Sequence, residues 1–258
     1  MALDFGRSIL IIAPHPDDEV VACCAAIGRA RATGATVRVI FITHGCVSRE
    51  TMWPWARARY GAVVARRRAE ADAVLAKLGL GAAGWSDRPA RALWRHLPDA
   101  EAEIRQAVAR YAVDQLWAPA FEGGNADHDA ANAIAAQFAA AGLSVLEFAE
   151  YNLSGGRVNS HAFPVSHGDE VTLDLTAEER AAKRQALALY ASERQNLSYV
   201  KVEREVFRPL PAHDYAAPPH PGRLWYARFQ WVPFRHPGVD FTQPSEVARA
   251  LAAYRAAK

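Results

Sequence analysis

The stretch SILIIAPHPDDE, residues 8–19, decides the fold more directly than any other part of the chain. Residues 8–12 form a short apolar run rich in isoleucine, which is typical of a buried strand in a parallel sheet. Two prolines follow, and because they cannot continue a sheet we expect the chain to turn there. Chemistry in open α/β sheets lies at the carboxyl ends of strands, so the candidate functional residues in this turn are His15, Asp17 and Asp18.

Strand-like and helix-like segments alternate over the first 151 residues. Further strands are predicted at 36–42, 82–85, 114–119 and 144–151, and helices at 18–31, 53–78, 99–111 and 129–141. This alternation implies βαβ units with right-handed crossovers. The predicted fold class is therefore α/β, with a Rossmann-like open, mostly parallel sheet flanked by helices.

The segments that follow are shorter and predict a smaller mixed β/α C-terminal part. We expect a strand at 172–175, a helix that starts at Thr176 and runs to about residue 191, and a strand at 223–231. Thr176 and Glu179 have the spacing of a capping box, which supports the start of that helix. Three aromatic residues of this part are predicted to lie in the core: Tyr190, Tyr199 and Trp225.

Length and composition indicate one globular domain. The chain has 258 residues, of which 51% are hydrophobic and 22% charged, so it can bury a sizeable core. Neither a linker nor an internal repeat is visible. We therefore expect a single domain over residues 1–258, in which a core of residues 1–151 continues into a C-terminal extension of residues 152–258.

Several classes of protein are not favoured. The net charge is only +2, and the one basic cluster, residues 66–68, falls in a helical pattern, so we expect no nucleic-acid partner. Three cysteines make neither a disulfide framework nor a zinc motif. No apolar run approaches bilayer length and no leader pattern is present, so we expect a cytoplasmic protein without a transmembrane segment; the oligomeric state is left open. No G-x-G-x-x-G motif follows the first strand, which disfavours nucleotide binding.

His128 is the best candidate to complete a metal site with His15 and Asp18. It follows Asp127 and opens a helix just after the predicted strand at 114–119. Two imidazoles and one carboxylate are the ligand set of a catalytic zinc with open positions, and Fe(II), Mn or Co would also accept it. Each residue alone has an ordinary structural explanation, such as a helix cap. Their occurrence on two strand-end turns of one sheet favours a metal.

Two motifs resemble those of a known family. The segment APHPDDE, residues 13–19, and the pair Asp127-His128 resemble the (A/P)-H-P-D-D-E and H-x-D-H motifs of the PIG-L/LmbE-like zinc-dependent de-N-acetylases, in their bacterial form. The likeness covers most of the chain and extends to Arg67 with Glu70, residues 122–124, residues 183–190 and residues 218–226.

The resemblance implies a role for each matched residue. His15, Asp18 and His128 match the zinc ligands, and Asp17 matches the general base that takes a proton from the attacking water. Asp127 matches a carboxylate that orients a neighbouring side chain. The C-terminal extension is expected to complete the site.

Asn125 is the main departure from the family pattern, because it replaces the first histidine of H-x-D-H. Asparagine can still donate a hydrogen bond to an oxyanion, but it cannot donate a proton as an acid. Three explanations remain open: a slower enzyme, an acid located elsewhere, or a deliberate substitution. The candidates for a displaced acid are His44, His161 and His167.

Candidate substrate-binding residues are Arg67, Asp87 and His44. Arg67 can hold a phosphate or hydroxyls, or it can pair with Glu70. Asp87 can bind sugar hydroxyls, whereas His44 is equally well explained as a polar turn residue. Trp53 and Trp55 follow the second strand. They can either stack on a sugar ring or fill space between packed elements.

These observations predict a zinc-dependent hydrolase of an N-acyl, above all N-acetyl, amino sugar or glycoside. Family members act on lipids, thiol precursors and antibiotic intermediates that contain N-acetylglucosamine, so the substrate stays open. One alternative is a binding or regulatory homologue that Asn125 has impaired. Another is a zinc hydrolase of an ester or a non-sugar amide.

Overall fold

The computed structural model describes residues 3–198 and 200–257. The strands are β1 (Ser8–Ala13), β2 (Thr36–Phe41), β3 (Gly81–Trp85), β4 (Gln115–Pro119), β5 (Ser144–Phe148), β6 (Tyr151–Asn152), β7 (Asn159–Ser160), β8 (Val171–Asp174) and β9 (Arg204–Pro209). The α-helices are α1 (Asp18–Ala32), α2 (Tyr60–Leu78), α3 (Leu97–Arg110), α4 (Ala126–Ala140), α5 (Ala177–Leu187) and α6 (Pro244–Ala256).

Seven strands form one sheet in the order β3-β2-β1-β4-β5-β9-β8. The first five in this order are parallel, and β9 and β8 extend the sheet with antiparallel pairing. The predicted Rossmann-like α/β class is therefore confirmed. The order reverses between β1 and β4, and such a switch point leaves a crevice at the carboxyl ends of the strands.

The alternating side chains of β1 explain why helices cover both faces of the sheet. Leu10 and Ile12 pack in one core cluster, with residues of α3, α4 and α6. Ile9 and Ile11 pack in the other, with residues of α1, α2 and α5. A strand that is apolar on both sides needs a layer on each face, and this three-layer arrangement holds β1 at the centre.

The C-terminal half differs from the prediction in several places. The strand predicted at 223–231 is wrong: this segment forms turns, and prolines at 221 and 233 flank it and limit ladder pairing. The helix that starts after Thr176 has the predicted capping box but ends at Leu187. Helix α6 was not predicted, and residues 54–59 form a 3₁₀ turn before α2. Tyr190 is buried as predicted, Trp225 is only partly buried, and Tyr199 lies outside the described residues.

A buried ion pair joins the C-terminal part to α1. The Lys183 ammonium donates to Glu205 (2.8 Å), and neither side chain is exposed. The same carboxylate accepts hydrogen bonds from the backbone N–H groups of Ala25 and Ala26, in the middle of α1. Within the described part of the chain, no helix has the length and apolar character needed to cross a membrane.

Replacing Lys183 with methionine should leave Glu205 charged and buried without its cation. We expect Lys183→Met to lower the free energy of unfolding by about 3 kcal/mol, as measured by urea denaturation. The double variant with Glu205→Gln should lose less than the single variant, because no unpaired charge remains. Lys77→Met, on the exposed face of α2, is the control and should change little; an equal loss in this control would contradict the prediction.

Candidate metal centre

The turn between β1 and α1 is held in a strained conformation by the residues that follow it. Asp17 has a backbone φ of 144°, which residues other than glycine rarely adopt. Its backbone N–H donates to Glu19 Oε2 (3.0 Å), and the N–H of His15 donates to Asp18 Oδ2 (2.7 Å). Glu19 is fully buried and also accepts from the Tyr190 hydroxyl. Two carboxylates at the start of α1 therefore fix the direction in which the turn presents its side chains.

Three possible metal-ligand atoms meet at the carboxyl edge of the sheet. His128 Nε2 lies 3.3 Å from His15 Nδ1 and 3.4 Å from Asp18 Oδ1, and His15 Nδ1 lies 3.4 Å from Asp18 Oδ2. Atoms bound to one zinc at about 2.0–2.1 Å in a tetrahedral arrangement are separated by about 3.3 Å. The side chains are buried, and among the described residues this group could hold a metal ion. The donor set therefore fits a small divalent cation with open positions.

Each of the two histidines has a carboxylate near the nitrogen that points away from this meeting point. His15 Nε2 lies 3.0 Å from Asp127 Oδ2, and His128 Nδ1 lies 3.8 Å from Glu150 Oε2. A carboxylate hydrogen-bonded to this nitrogen sets the tautomer and ring orientation of a metal-binding imidazole. Asp127 is at hydrogen-bond distance from His15, whereas Glu150 is close to His128 but beyond that distance. Asp127 also accepts from the backbone N–H groups of Arg91 and Leu93, so its own position is fixed.

Glu150 was missed by the sequence analysis. It lies two residues after β5, at the same edge as the other carboxylates, but the strand predicted at 144–151 enclosed it, so it was not recognised as a residue that follows a strand. Its Oε1 and His128 Nδ1 are buried atoms without a hydrogen-bond partner among the described residues. Glu150 is therefore a candidate to orient His128, since its carboxylate lies 3.8 Å from His128 Nδ1 and no other described residue satisfies that nitrogen.

Burial and the neighbouring charges shift the pKa values of His15 and Asp18 in opposite directions and that of Glu150 in the same direction. Burial lowers the pKa of His15, but the carboxylates of Asp18 and Asp127 outweigh it and raise that pKa to about 10. Burial raises the pKa of Asp18, but His128 and His15 hold it well below its usual range. Burial and the nearby carboxylates, Asp18 first among them, raise the pKa of Glu150. The centre therefore concentrates negative charge that a divalent cation would offset.

Asp17 lies beside the donor set and is held by Arg67. Burial raises the pKa of Asp17, and the Arg67 guanidinium opposes this effect. Arg67 Nη2 donates to Asp17 Oδ2 (2.8 Å), and Nη1 lies 3.1 Å from Glu193 Oε1. The alternative pairing of Arg67 with Glu70 is not made, because Glu70 pairs with Arg66 at 2.9 Å.

Asn125 caps the N-terminus of α4. Its Oδ1 accepts from the backbone N–H of Asp127 (2.9 Å), the role for which asparagine is among the best residues. Its Nδ2 donates to none of the described residues, and the side chain lines a cavity. The amide therefore offers a donor beside the His15, Asp18 and His128 cluster.

The cavity has a volume of about 210 Å³ and draws its walls from both halves of the chain. The core contributes His15, Asp17, Asp18, Arg67, Asn125 and Glu150. The C-terminal half contributes Glu193, Asn196, Leu197, Val200, Trp225, Tyr226, Arg228, Phe229, Gly238 and Asp240. Gly124 is required where the walls meet, because a Cβ there would lie 2.3 Å from the carbonyl oxygen of Tyr151.

The other predicted residues lie outside this cavity. His44 Nε2 lies 2.8 Å from the Tyr60 hydroxyl and its Nδ1 accepts from the backbone N–H of Cys46; Asp87 is exposed. The remaining candidates for a displaced acid, His161 and His167, are also absent from the described lining. Burial lowers the pKa of His161 to about 4.

Fold and site together define the class: a Rossmann-like α/β protein with a His–Asp–His candidate metal centre at the switch point of its sheet. The family described as PIG-L, GlcNAc-PI de-N-acetylase, matches residues 10–139, a span that contains all three possible ligands. The chain belongs to this family.

Several solved deacetylases share the fold. The A40926 pseudoaglycone deacetylase is 20% identical, with a TM-score of 0.63 over 80% of this chain and 99% of that one. A zinc-inhibited form of teicoplanin deacetylase is 17% identical, with a TM-score of 0.58 over 78% and 97%. The N,N'-diacetylchitobiose deacetylase from Pyrococcus horikoshii is 16% identical, with a TM-score of 0.54 over 80% and 84%. No curated protein sequence matches the chain.

Removing one histidine of the donor set should weaken metal binding strongly. We expect His128→Ala to bind zinc at least 100-fold more weakly than the parent protein, as measured by titration with a competing chelator. The matched control is His44→Ala, another buried histidine on a strand-end turn. Retention of the metal by His128→Ala, or its loss by the control, would contradict the assignment.

The orienting role of Glu150 can be tested in the same titration. Glu150→Gln keeps the size of the side chain but removes its charge, so we expect zinc affinity to fall about 10–100-fold. Glu193→Gln is the control, because this residue lines the same cavity without contacting either histidine. Equal affinity of Glu150→Gln and the parent would refute the role.

Proposed function

We propose that this protein is a metal-dependent hydrolase that removes an N-acyl group, above all N-acetyl, from an amino sugar or glycoside. The observation that carries the proposal is the position of Asp17, a buried carboxylate held by Arg67 beside the His–Asp–His cluster. Family membership and structural neighbours that deacetylate glycoside or chitobiose substrates support the same reaction.

We assign the metal to His15, Asp18 and His128, with zinc as the first choice. Zinc held by these residues would lower the pKa of a water molecule to about 7 and so would supply a nucleophile at neutral pH. Fe(II), Mn and Co suit the same ligands. Because one neighbour has been solved in a zinc-inhibited form, all four metals belong in the test.

Asp17 is the proposed general base. Its Oδ2 is engaged by Arg67, whereas its Oδ1 makes no hydrogen bond to the described residues and is available to accept a proton from the attacking water. A carboxylate fixed in this way returns the same proton to the leaving amine. Arg67 then acts by keeping the acceptor oxygen in place.

Asn125 is the proposed donor to the oxyanion. Its Oδ1 is committed to the cap of α4, so its Nδ2 is fixed in direction and can donate to the carbonyl oxygen as negative charge develops there. A donor that is already oriented costs no reorganisation during the reaction. Asparagine therefore replaces the family histidine as a hydrogen-bond donor but not as an acid.

The C-terminal extension, residues 152–258, is proposed to form the substrate walls. Trp225, Tyr226 and Phe229 present aromatic surface to the cavity, and Glu193, Asn196 and Asp240 present groups that can bind hydroxyls. A mixed aromatic and polar wall suits a sugar ring, which has both an apolar face and a hydroxyl edge.

Amine release from a panel of N-acetyl amino sugars and glycosides tests the proposal. We expect release by the metal-loaded protein, loss with a chelator and recovery on adding metal. Asp17→Asn should retain its metal and lose about 10²–10⁴-fold in kcat, because an amide cannot accept the proton. Asn125→Ala should lose about 10²–10³-fold. Asp87→Asn, on the exposed surface, is the control.

Other outcomes point to the alternatives. Activity that appears only in Asn125→His would identify an impaired binding or regulatory homologue. If neither the parent protein nor Asn125→His releases amine from any sugar of the panel, but they hydrolyse esters or other amides, the protein is a different metal hydrolase. Full activity of Asp17→Asn would overturn the assignment of the base.

A further inference from the structure

Two stretches of the chain are basic and lack acidic residues. Residues 51–69 contain five arginines and residues 215–239 contain three, and neither stretch contains an aspartate or a glutamate. The net charge of the whole protein is only +2, so these stretches carry an excess of positive charge that the rest of the chain offsets. The first includes the 3₁₀ turn and the start of α2, and the second forms turns between β9 and α6.

Ring contacts join the two stretches. Trp53 stacks on Trp55, with centroids 5.2 Å apart and planes 6° apart. His236 packs against Trp53 at nearly a right angle, with centroids 5.4 Å apart, and the ring of Phe234 lies 6.3 Å from that of His236. Four rings therefore run in a row from one stretch to the other.

We name residues 53–59 and 228–236 together the aromatic–arginine surface. Among the described residues, five tryptophan and phenylalanine side chains are exposed, and four of them belong to these two segments. They are Trp55 (76% exposed), Trp231 (73%), Phe234 (57%) and Phe229 (45%). Apolar side chains that are exposed singly are common, but a cluster of large ones marks a surface that binds something.

Exposed arginines accompany the rings. Arg59 and Arg235 are exposed, and neither forms an ion pair with a described residue. The acidic residue at the border of the surface, Glu50, already interacts with Arg49 and Arg57. Two guanidinium groups of the aromatic–arginine surface therefore lack a carboxylate partner in the described part of the protein.

This combination suits the interface of an anionic membrane. Tryptophan and phenylalanine rings are stable at the level of the lipid headgroups, and the negative surface potential of the bilayer attracts nearby arginines. A second copy of the chain fits less well, because a symmetric contact would place the same arginines opposite each other. A nucleic acid also fits less well, because the exposed prolines at 54 and 233 have no backbone N–H to donate to a phosphate.

The aromatic–arginine surface borders the cavity at the metal centre. Arg228 and Phe229 line that cavity, and the Arg228 guanidinium lies 4.1 Å from the ring centroid of Trp225, another lining residue. Trp53 and Trp55 are absent from the described lining. The surface therefore continues from the cavity wall to the exterior of the protein.

We propose that the aromatic–arginine surface docks the protein on an anionic lipid bilayer. In this peripheral contact Trp55 and Phe234 enter the headgroup region, and Arg59 and Arg235 contact lipid phosphates. The docking does not depend on the deacylation proposed above. It keeps the border of the metal-centre cavity at the membrane surface.

Vesicle flotation tests this docking. The probes are vesicles of phosphatidylcholine alone and vesicles of phosphatidylcholine with an equal amount of phosphatidylglycerol. We expect the protein to bind the anionic vesicles at least tenfold more tightly, and this difference to shrink as salt is added. Arg235→Gln should weaken binding to the anionic vesicles about fivefold. Trp55→Ala should weaken it at least tenfold, whereas Trp55→Phe keeps an aromatic ring and should retain most of the binding.

Two variants are the matched controls. Arg184→Gln removes an exposed arginine outside the surface, and Val158→Ala shortens an apolar side chain that is 61% exposed. Both should bind the anionic vesicles as the parent protein does. The circular dichroism spectrum and the midpoint of thermal unfolding establish that each variant is folded.

Several outcomes would overturn the docking surface. They are equal binding to both kinds of vesicle, binding to neither, and anionic-vesicle binding that survives both Trp55→Ala and Arg235→Gln. A dimer seen by light scattering that Trp55→Ala dissociates, without vesicle binding, would assign the surface to a second copy instead. Binding to a single-stranded oligonucleotide in place of vesicles would assign it to a nucleic acid. Because amine release is not measured, a failed deacylation leaves the result of this test unchanged.

Discussion

The site depends on one constraint, the pair of carboxylates that hold the turn between β1 and α1. Asp18 and Glu19 accept hydrogen bonds from the backbone N–H groups of His15 and Asp17, and these bonds help to keep Asp17 in its strained conformation. The same four residues supply two of the possible metal ligands and the proposed base. A turn relaxed by loss of Glu19 would move the base away from the donor set without touching any ligand.

The second half of the site is built by the N-terminus of α4 and by β5. Asn125 caps the helix, Asp127 and His128 occupy its first turn, and Glu150 follows the neighbouring strand. Because β1, β4 and β5 are parallel neighbours, their ends bring these residues together without any long loop. The arrangement also explains how asparagine is accommodated where the family has histidine: it makes the cap and still presents an N–H to the cavity.

The sequence predicted the structure best where a short run of residues determines both a secondary-structure element and its place in the fold. The isoleucine-rich segment of β1 predicted a buried parallel strand, and the turns and helix starts that follow two strands predicted the cluster of His15, Asp18 and His128. The same rule did not find Glu150, because the predicted strand ran to residue 151 whereas β5 ends at Phe148. It could not place residues 223–231, whose position depends on contacts such as the hydrogen bond from Trp225 N–H to the carbonyl of Gly123, about a hundred residues away. His44 and Asp87 follow strands too, but their side chains lie outside the cavity.

The Glu205 carboxylate, which accepts hydrogen bonds from the middle of α1, is made late in synthesis. The amide of Ala25 donates to a carboxylate 180 residues later in the chain. While the ribosome is still making the middle of the protein, the first helix lacks this partner. A nascent chain that ends before residue 205 therefore lacks the acceptor that the finished protein supplies to two backbone N–H groups in the middle of α1.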